Sequence, residues 1–173
     1  AKKLMLKPWK GHEWGAKKGE QLIDWCRELD IKELTLYAFS IENFNRPKEE
    51  FNYLMNVFRK EFDRLINDKR LSQHKIKIRY IGRTEMFPQD IQELMRRLMD
   101  ITNENNDYII NVAMAYGGRS EVVDATKKIA EAVKAGKLDI AAINESSFLQ
   151  YLYMADEPDL IIRTGGEKRT SNF

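Results

Sequence analysis

Apolar positions change period repeatedly along this chain, and each change marks an element. Across residues 16–29, Leu22, Ile23, Cys26 and Leu29 share one helical face, which predicts a helix. Residues 33–39, rich in Leu, Thr, Tyr and Phe, read as a buried strand. Pro47 suits the first position of the next helix, with Glu49 and Glu50 in its electropositive first turn. Phe51, Leu54, Met55, Phe58, Phe62, Leu65 and Ile66 then form one apolar stripe. Residues 75–81 alternate apolar with basic side chains, as a half-exposed strand does. Pro88 opens a helix carrying Ile91, Leu94, Met95, Leu98 and Met99. Beyond it the pattern predicts strand at 108–115, helix at 118–133, helix at 146–154 and strand at 159–162. Strands alternating with helices predict an α/β fold, a mostly parallel central sheet flanked by helices.

In such sheets ligands bind beyond the carboxyl ends of the strands. The polar stretches 40–46, 116–119 and 163–171 each follow a predicted strand, so the expectation is one site on one edge. The last of them is the richest. Residues 163–173 hold Arg163, Arg169, Lys168, Glu167, Ser171, two threonines and two glycines. Glycine lets backbone N–H groups approach a ligand, and arginine forks grip phosphate oxygens in pairs. A diphosphate would use all of these donors. Near the start, Lys7, Lys10, Gly11, His12 and Gly15 read as a loop before a helix, able to free amides for an anion. Here His12 could hydrogen-bond to a diphosphate or protonate it on departure. Ser40 and Asn43 are also ordinary turn residues, Gly117 and Gly118 are explained by a tight strand-to-helix turn, and His74 reads as surface.

Four ordered blocks carry a resemblance. They are Gly11-His12-x-x-Gly15; Leu34-Thr-Leu-Tyr-Ala-Phe-Ser-x-Glu-Asn43 with Asn45-Arg46-Pro47; Asn111-x-x-x-x-Tyr-Gly-Gly-Arg119; and Arg163-Thr-Gly-Gly-Glu-Lys-Arg169-Thr-Ser171-Asn-Phe173. Together they resemble the cis-prenyltransferases, the undecaprenyl and dehydrodolichyl diphosphate synthases, over essentially the whole chain. The resemblance implies condensation of isopentenyl diphosphate with an allylic diphosphate, farnesyl or geranylgeranyl, to a Z-polyprenyl diphosphate that serves as lipid carrier for glycan assembly. It implies that Arg163, Arg169 and Ser171 clamp isopentenyl diphosphate and that Arg46 contacts the allylic diphosphate. Asn43, with Ser40 nearby, would position the homoallylic diphosphate and the proton it loses.

Further implications are Mg²⁺, a hydrophobic tunnel between the sheet and two helices, a homodimer, and peripheral contact with a membrane for product release. Phe51, Leu54, Met55, Phe58, Ala38, Tyr108 and Met114 could face that tunnel, although Met and aromatic stripes are ordinarily core. The chain departs from the family in two places. Pro8 stands where an arginine often precedes Gly-His, so Lys7 or Lys10 would substitute, and Phe44 replaces a frequent Trp while still lining the site. Residues 1–173 would form a single catalytic domain truncated at both ends. The main Mg²⁺ ligand is then expected in a preceding Asp-Gly-Asn motif, with Glu167 a weaker metal candidate.

Composition narrows the class further. Apolar content of 43% and charged content of 32% describe a globular chain, and a net charge of +2 gives no field for nucleic acid. The single Cys26 fits a reducing cytoplasm. There is no Asp-Asp-x-x-Asp motif of the trans-prenyltransferases and no Gly-x-x-x-x-Gly-Lys-Ser/Thr loop for a nucleotide. The alternatives are a non-catalytic scaffold subunit of a cis-prenyltransferase complex and an unrelated phosphate-ester enzyme on a doubly wound fold.

Overall fold

A computed structural model describes residues 11–163 and 172–173, and of residues 11–17 and 20 the backbone alone. Along the described chain run α1 Gly11–Glu28, β1 Glu33–Ser40, α2 Lys48–Ile66, α3 Arg70–Gln73, β2 Ile76–Ile81, α4 Gln89–Ile101, β3 Tyr108–Tyr116, α5 Gly118–Lys134 and α6 Glu145–Leu149. They fall into two compact units, Ala1–Ala115 and Tyr116–Phe173.

The first unit is built on a sheet of order β1-β3-β2. β2 and β3 pair in parallel from Ile76↔Tyr108 to Ile81↔Ala113. β1 runs the same way: Ile109 N–H donates to the Lys32 carbonyl at 2.8 Å, and the Asn111 amide donates to Glu33 Oε1 at 2.6 Å. The sheet is therefore parallel and flanked by helices, the α/β fold that the alternation predicts. β3 lies in the middle, and its Ile110, Ala113, Met114 and Ala115 are buried.

Helices α2 and α4 pack on each other, and α4 packs on β2. Their stripes meet as Leu54, Met55 and Phe62 on α2 and Ile91, Met95 and Leu98 on α4, all buried with Phe39, Ile76 and Ile78 of the sheet. Burial of each such side chain contributes on the order of 2 kcal/mol. The residues named for the tunnel on α2 thus belong to this packed face: Leu54 and Met55 are buried, Phe51 and Phe58 half-buried against them.

Four sequence expectations change. β1 is an edge strand among the described residues and only its Phe39 is fully buried, so it is not the buried strand its composition suggested; Ala38 is exposed. Leu29 is 72% exposed because α1 stops at Glu28, where Asp30 takes a φ of 56° and Ile31 N–H reaches back to the Cys26 carbonyl at 2.7 Å. Within the second unit, α6 is only Glu145–Leu149, which stops well short of the helix expected at 146–154. Tyr153 is drawn onto α5 instead, its N–H donating to Glu121 at 2.7 Å and its hydroxyl to Asp124 at 2.5 Å. The strand expected at 159–162 is not formed. A strand needs a ladder partner, and Leu160, Ile161 and Ile162 have none among the described residues and lie exposed.

The connection from α2 to β2 is held by charge. Asp68, with a side chain only 13% exposed, accepts from Arg70 Nε at 3.0 Å and Nη2 at 2.6 Å, and lies 3.7 Å from Arg64 Nη1. The Arg70 hydrogen bonds, then the Arg64 charge, hold its carboxyl below the usual range. A lowered carboxylate contributes stability above its unfolded pKa of about 4 and loses it as pH falls through the folded value. Asp68→Asn should therefore destabilise by about 1 kcal/mol at neutral pH, and the gap to the parent protein should close below pH ~4. Thermal midpoints measured across pH check this.

Candidate functional site

At its carboxyl end β1 passes directly into a 3₁₀ turn, Ile41–Asn45. Ser40 is extended (φ −81°, ψ 158°) and caps the turn, and Asn43 answers it in a capping box. Asn43 Oδ1 accepts the Ser40 N–H at 3.0 Å. Because a backbone N–H requires an acceptor, this contact assigns the amide: oxygen toward the chain, nitrogen away from it. Both Nδ2 protons are then donors that the turn itself does not use. Ser40 is further hydrogen-bonded to Tyr37, a half-buried phenol whose pKa is raised by burial and by the nearby Glu42 carboxylate. In the sequence Tyr37 looks like one more aromatic strand residue.

Arg46 closes the turn, its N–H donating to the Asn43 carbonyl at 3.2 Å. Its guanidinium pairs with Glu50 on the first turn of α2, and about a third of the side chain is exposed. In the sequence Glu50 is only a helix-start residue. The structure makes it the partner that orients Arg46, leaving the remaining guanidinium N–H groups for another anion. Phe44 turns inward, its ring 5.0 Å from Phe39, 5.3 Å from Phe87 and 5.7 Å from Phe51. Ser40, Asn43, Phe44 and Arg46 are thus brought together on one turn at the carboxyl edge of the sheet. By contrast, an open depression of about 400 Å³ lies at the amino ends of β1 and β3, between Lys32, Glu33 and Asp107, away from this chemistry.

The Gly-His block differs from expectation. Gly11, His12 and Gly15 lie inside α1, which begins at Gly11, so they are not a loop preceding the helix. An isolated glycine costs a helix only about 1 kcal/mol, which tertiary packing overrides. The side chain of His12 lies outside the described residues, as do Lys7, Lys10, Glu167, Arg169 and Ser171. Arg163 is described and exposed.

In the second unit the two glycines serve a helix start. Gly118 N–H donates to the Asn172 carbonyl at 2.7 Å and Arg119 N–H to Asn172 Oδ1 at 3.0 Å, so Asn172 caps α5. Phe173 packs edge-on to Tyr116 at 5.6 Å, and the Tyr116 hydroxyl donates to Glu121 at 2.6 Å. The turn reading of Gly117 and Gly118 therefore accounts for them, and the Arg119 side chain is exposed. Asn172 carries no signal in the sequence, because nothing there says which helix a distant asparagine will cap. Among the described residues no group of three His, Cys, Asp or Glu could hold a metal ion. Among the same residues no helix is long and apolar enough to cross a membrane.

Comparison with known proteins shows the fold and the family. The chain is 47% identical over 175 residues to a tritrans,polycis-undecaprenyl-diphosphate synthase (geranylgeranyl-diphosphate specific) of Pyrococcus horikoshii, matching 100% of this chain and 66% of that protein. It spans 66% of the length of that curated relative, a little less than two thirds. The fold superposes with a TM-score of 0.94 on the lavandulyl diphosphate synthase of Lavandula x intermedia solved with dimethylallyl diphosphate, at 33% identity, covering 100% of this chain and 75% of that one. A probable undecaprenyl diphosphate synthase from Campylobacter jejuni gives a TM-score of 0.80 at 29% identity, covering 91% of this chain and 73% of that one. The model of the prenyltransferase family described as putative undecaprenyl diphosphate synthase matches residues 1–173. The chain belongs to that family.

Proposed function

We propose that this chain carries the catalytic region of a cis-prenyltransferase that condenses isopentenyl diphosphate with an allylic diphosphate to a Z-polyprenyl diphosphate. The observation that carries the reading is the Ser40–Asn43 turn. It fixes an amide with two donors on the carboxyl edge of a parallel sheet, beside an arginine oriented by Glu50. In the reaction the C1–O bond of the allylic substrate breaks, and the diphosphate leaves with the electron pair. The π electrons of isopentenyl diphosphate form the new bond to C1, and a proton leaves C2 to set the Z double bond. Charge builds on the departing diphosphate, so fixed donors and cations lower the barrier most.

In this reading Arg163, Arg169 and Ser171 grip isopentenyl diphosphate, and Arg46 grips the allylic diphosphate. Lys7, Lys10, Gly11 and Gly15 supply further anion contacts, and His12, Asn43 and Ser40 act on the reacting groups. Phe44 lines the apolar side. The primer is geranylgeranyl diphosphate, as the name of the Pyrococcus relative supports. Among the described residues no cluster forms a cage for Mg²⁺, and the ion is what the family resemblance implies. A homodimer working at a membrane surface in the cytoplasm completes the proposal.

The test uses the full polypeptide in which this chain occurs, with radiolabelled isopentenyl diphosphate, Mg²⁺, and geranylgeranyl or farnesyl diphosphate. Label should enter a butanol-extractable product, faster with geranylgeranyl diphosphate. Arg163→Ala should raise KM for isopentenyl diphosphate about tenfold through loss of charge-assisted bonds. No incorporation with either primer by a folded protein would overturn the reading in favour of a non-catalytic subunit.

A further inference from the structure

The carboxyl edge of the sheet in the first unit carries a second loop, residues 82–87 between β2 and α4, that belongs to none of the four sequence blocks. We infer that Phe87 in this loop is a positioning residue for Asn43, acting through the ring of Phe44; the inference rests on the function proposed above.

The argument starts from how the 40–45 turn is held. Its entrance is fixed by β1, and its exit is fixed by Arg46 on Glu50 of α2. The middle is anchored by Phe44, whose ring meets Phe39, Phe51 and Phe87. Phe39 and Phe51 sit on β1 and α2, the elements the turn itself connects. Phe87 comes from the loop between β2 and α4, so it supplies a reference point from outside the turn.

That reference is rigid. Gly82 takes a φ of 112° and lies so close to β3 that a Cβ there would sit 2.2 Å from the Met114 carbonyl oxygen. Arg83 N–H donates to the Ala115 carbonyl at 3.2 Å, and Phe87 N–H to the Thr84 carbonyl at 3.2 Å. From α4 the Gln92 side chain donates to the Phe87 carbonyl at 2.7 Å and to the Glu85 carbonyl at 3.0 Å. Phe87 is 3% exposed, and its ring also meets Phe39 at 5.2 Å and Phe58 at 6.2 Å. The chain from fixed loop to reacting group is therefore short: the Phe87 ring, the Phe44 ring, and the adjacent Asn43. Edge and tilted ring contacts restrict orientation as well as distance. A small shift of a catalytic donor is costly, on the order of a hundredfold for about 1 Å.

The experiment compares Phe87→Leu with Leu98→Ala in the full polypeptide. Leu98 is a fully buried residue near the far end of α4, and its truncation reports what loss of core packing alone does. Both are assayed by label incorporation at a temperature where circular dichroism shows them folded. Phe87→Leu should lower kcat about tenfold with KM for isopentenyl diphosphate within about twofold. Leu98→Ala should leave kcat within about twofold. Equal losses of kcat in the two variants, or no loss in Phe87→Leu, would overturn the inference. If Phe87→Leu does not fold, Phe87→Met, whose unbranched side chain fills irregular gaps while removing the ring, carries the same comparison. Absence of turnover in the parent protein would instead sink the proposed function, a result separate from these.

Discussion

Gly82→Ala should destabilise this protein more than the same change at Gly19, Gly118 or Gly136. A Cβ at residue 82 would lie 2.2 Å from the Met114 carbonyl oxygen and 3.2 Å from the Ala115 carbonyl group. Those are backbone atoms of the central strand, which cannot swing aside as a side-chain terminus would. Alanine at the φ of 112° adds strain of its own. Backbone strain of about 1–2 kcal/mol with overpacking of about 1–3 kcal/mol gives a loss of about 3–4 kcal/mol. For a chain of this size that lowers the thermal midpoint by about 10 °C. Gly136→Ala is the control. Its φ is 67° but nothing lies within 4 Å of the added Cβ, so it carries strain without collision, and should cost about 1 kcal/mol. Thermal denaturation followed by circular dichroism reads both. Equal midpoints for the two variants would show that the strand yields and that the close approach is not rigid.

Asn43→Asp should leave the fold intact and remove most turnover. The aspartate keeps an oxygen where Asn43 Oδ1 accepts the Ser40 N–H, so the capping box survives. What disappears is the pair of Nδ2 donors, and a negative charge arrives beside substrates that carry several. Loss of one donor aimed at developing charge costs about 100- to 1,000-fold in kcat. The expected result is a fall of that size in label incorporation with a thermal midpoint within about 2 °C of the parent, since an exchange that keeps its hydrogen bond changes stability little. Asn43→Asp at parental kcat would remove Asn43 from the chemistry and leave it as a turn cap.

Much of the framework is legible in the residues. The Phe51 to Ile66 stripe and the Pro88-led stripe become α2 and α4 within a residue of where the prolines place them, because a one-sided apolar face has few ways to be buried. β3 reads correctly because a strand buried in the middle of a sheet is almost continuously apolar, broken here only by Asn111, whose side chain bonds across to β1. The apolar run 160–162 shows the limit of the same logic: it has strand composition, yet a strand exists only where a partner supplies its hydrogen bonds.

The 40–46 block was recognisable as a turn bearing candidate donors, but its electrostatics were not. That Glu50 orients Arg46, that Tyr37 lies against Ser40, and that the asparagine oxygen faces inward are facts of three-dimensional placement. Phe87 and Asn172 show the same thing at longer range. Each is an ordinary residue in the sequence, and each matters through a partner more than 40 positions away, Phe44 for the first and Gly118 for the second. The sequence by itself determined the α/β class, the order of the main elements as far as α5 and the family, because periodicity and local motif are properties of neighbouring residues. The tertiary structure alone decided which groups meet at the turn, which donors are spent internally and how closely Gly82 approaches β3, because those depend on contacts between segments whose spacing along the chain encodes nothing about their spacing in the fold.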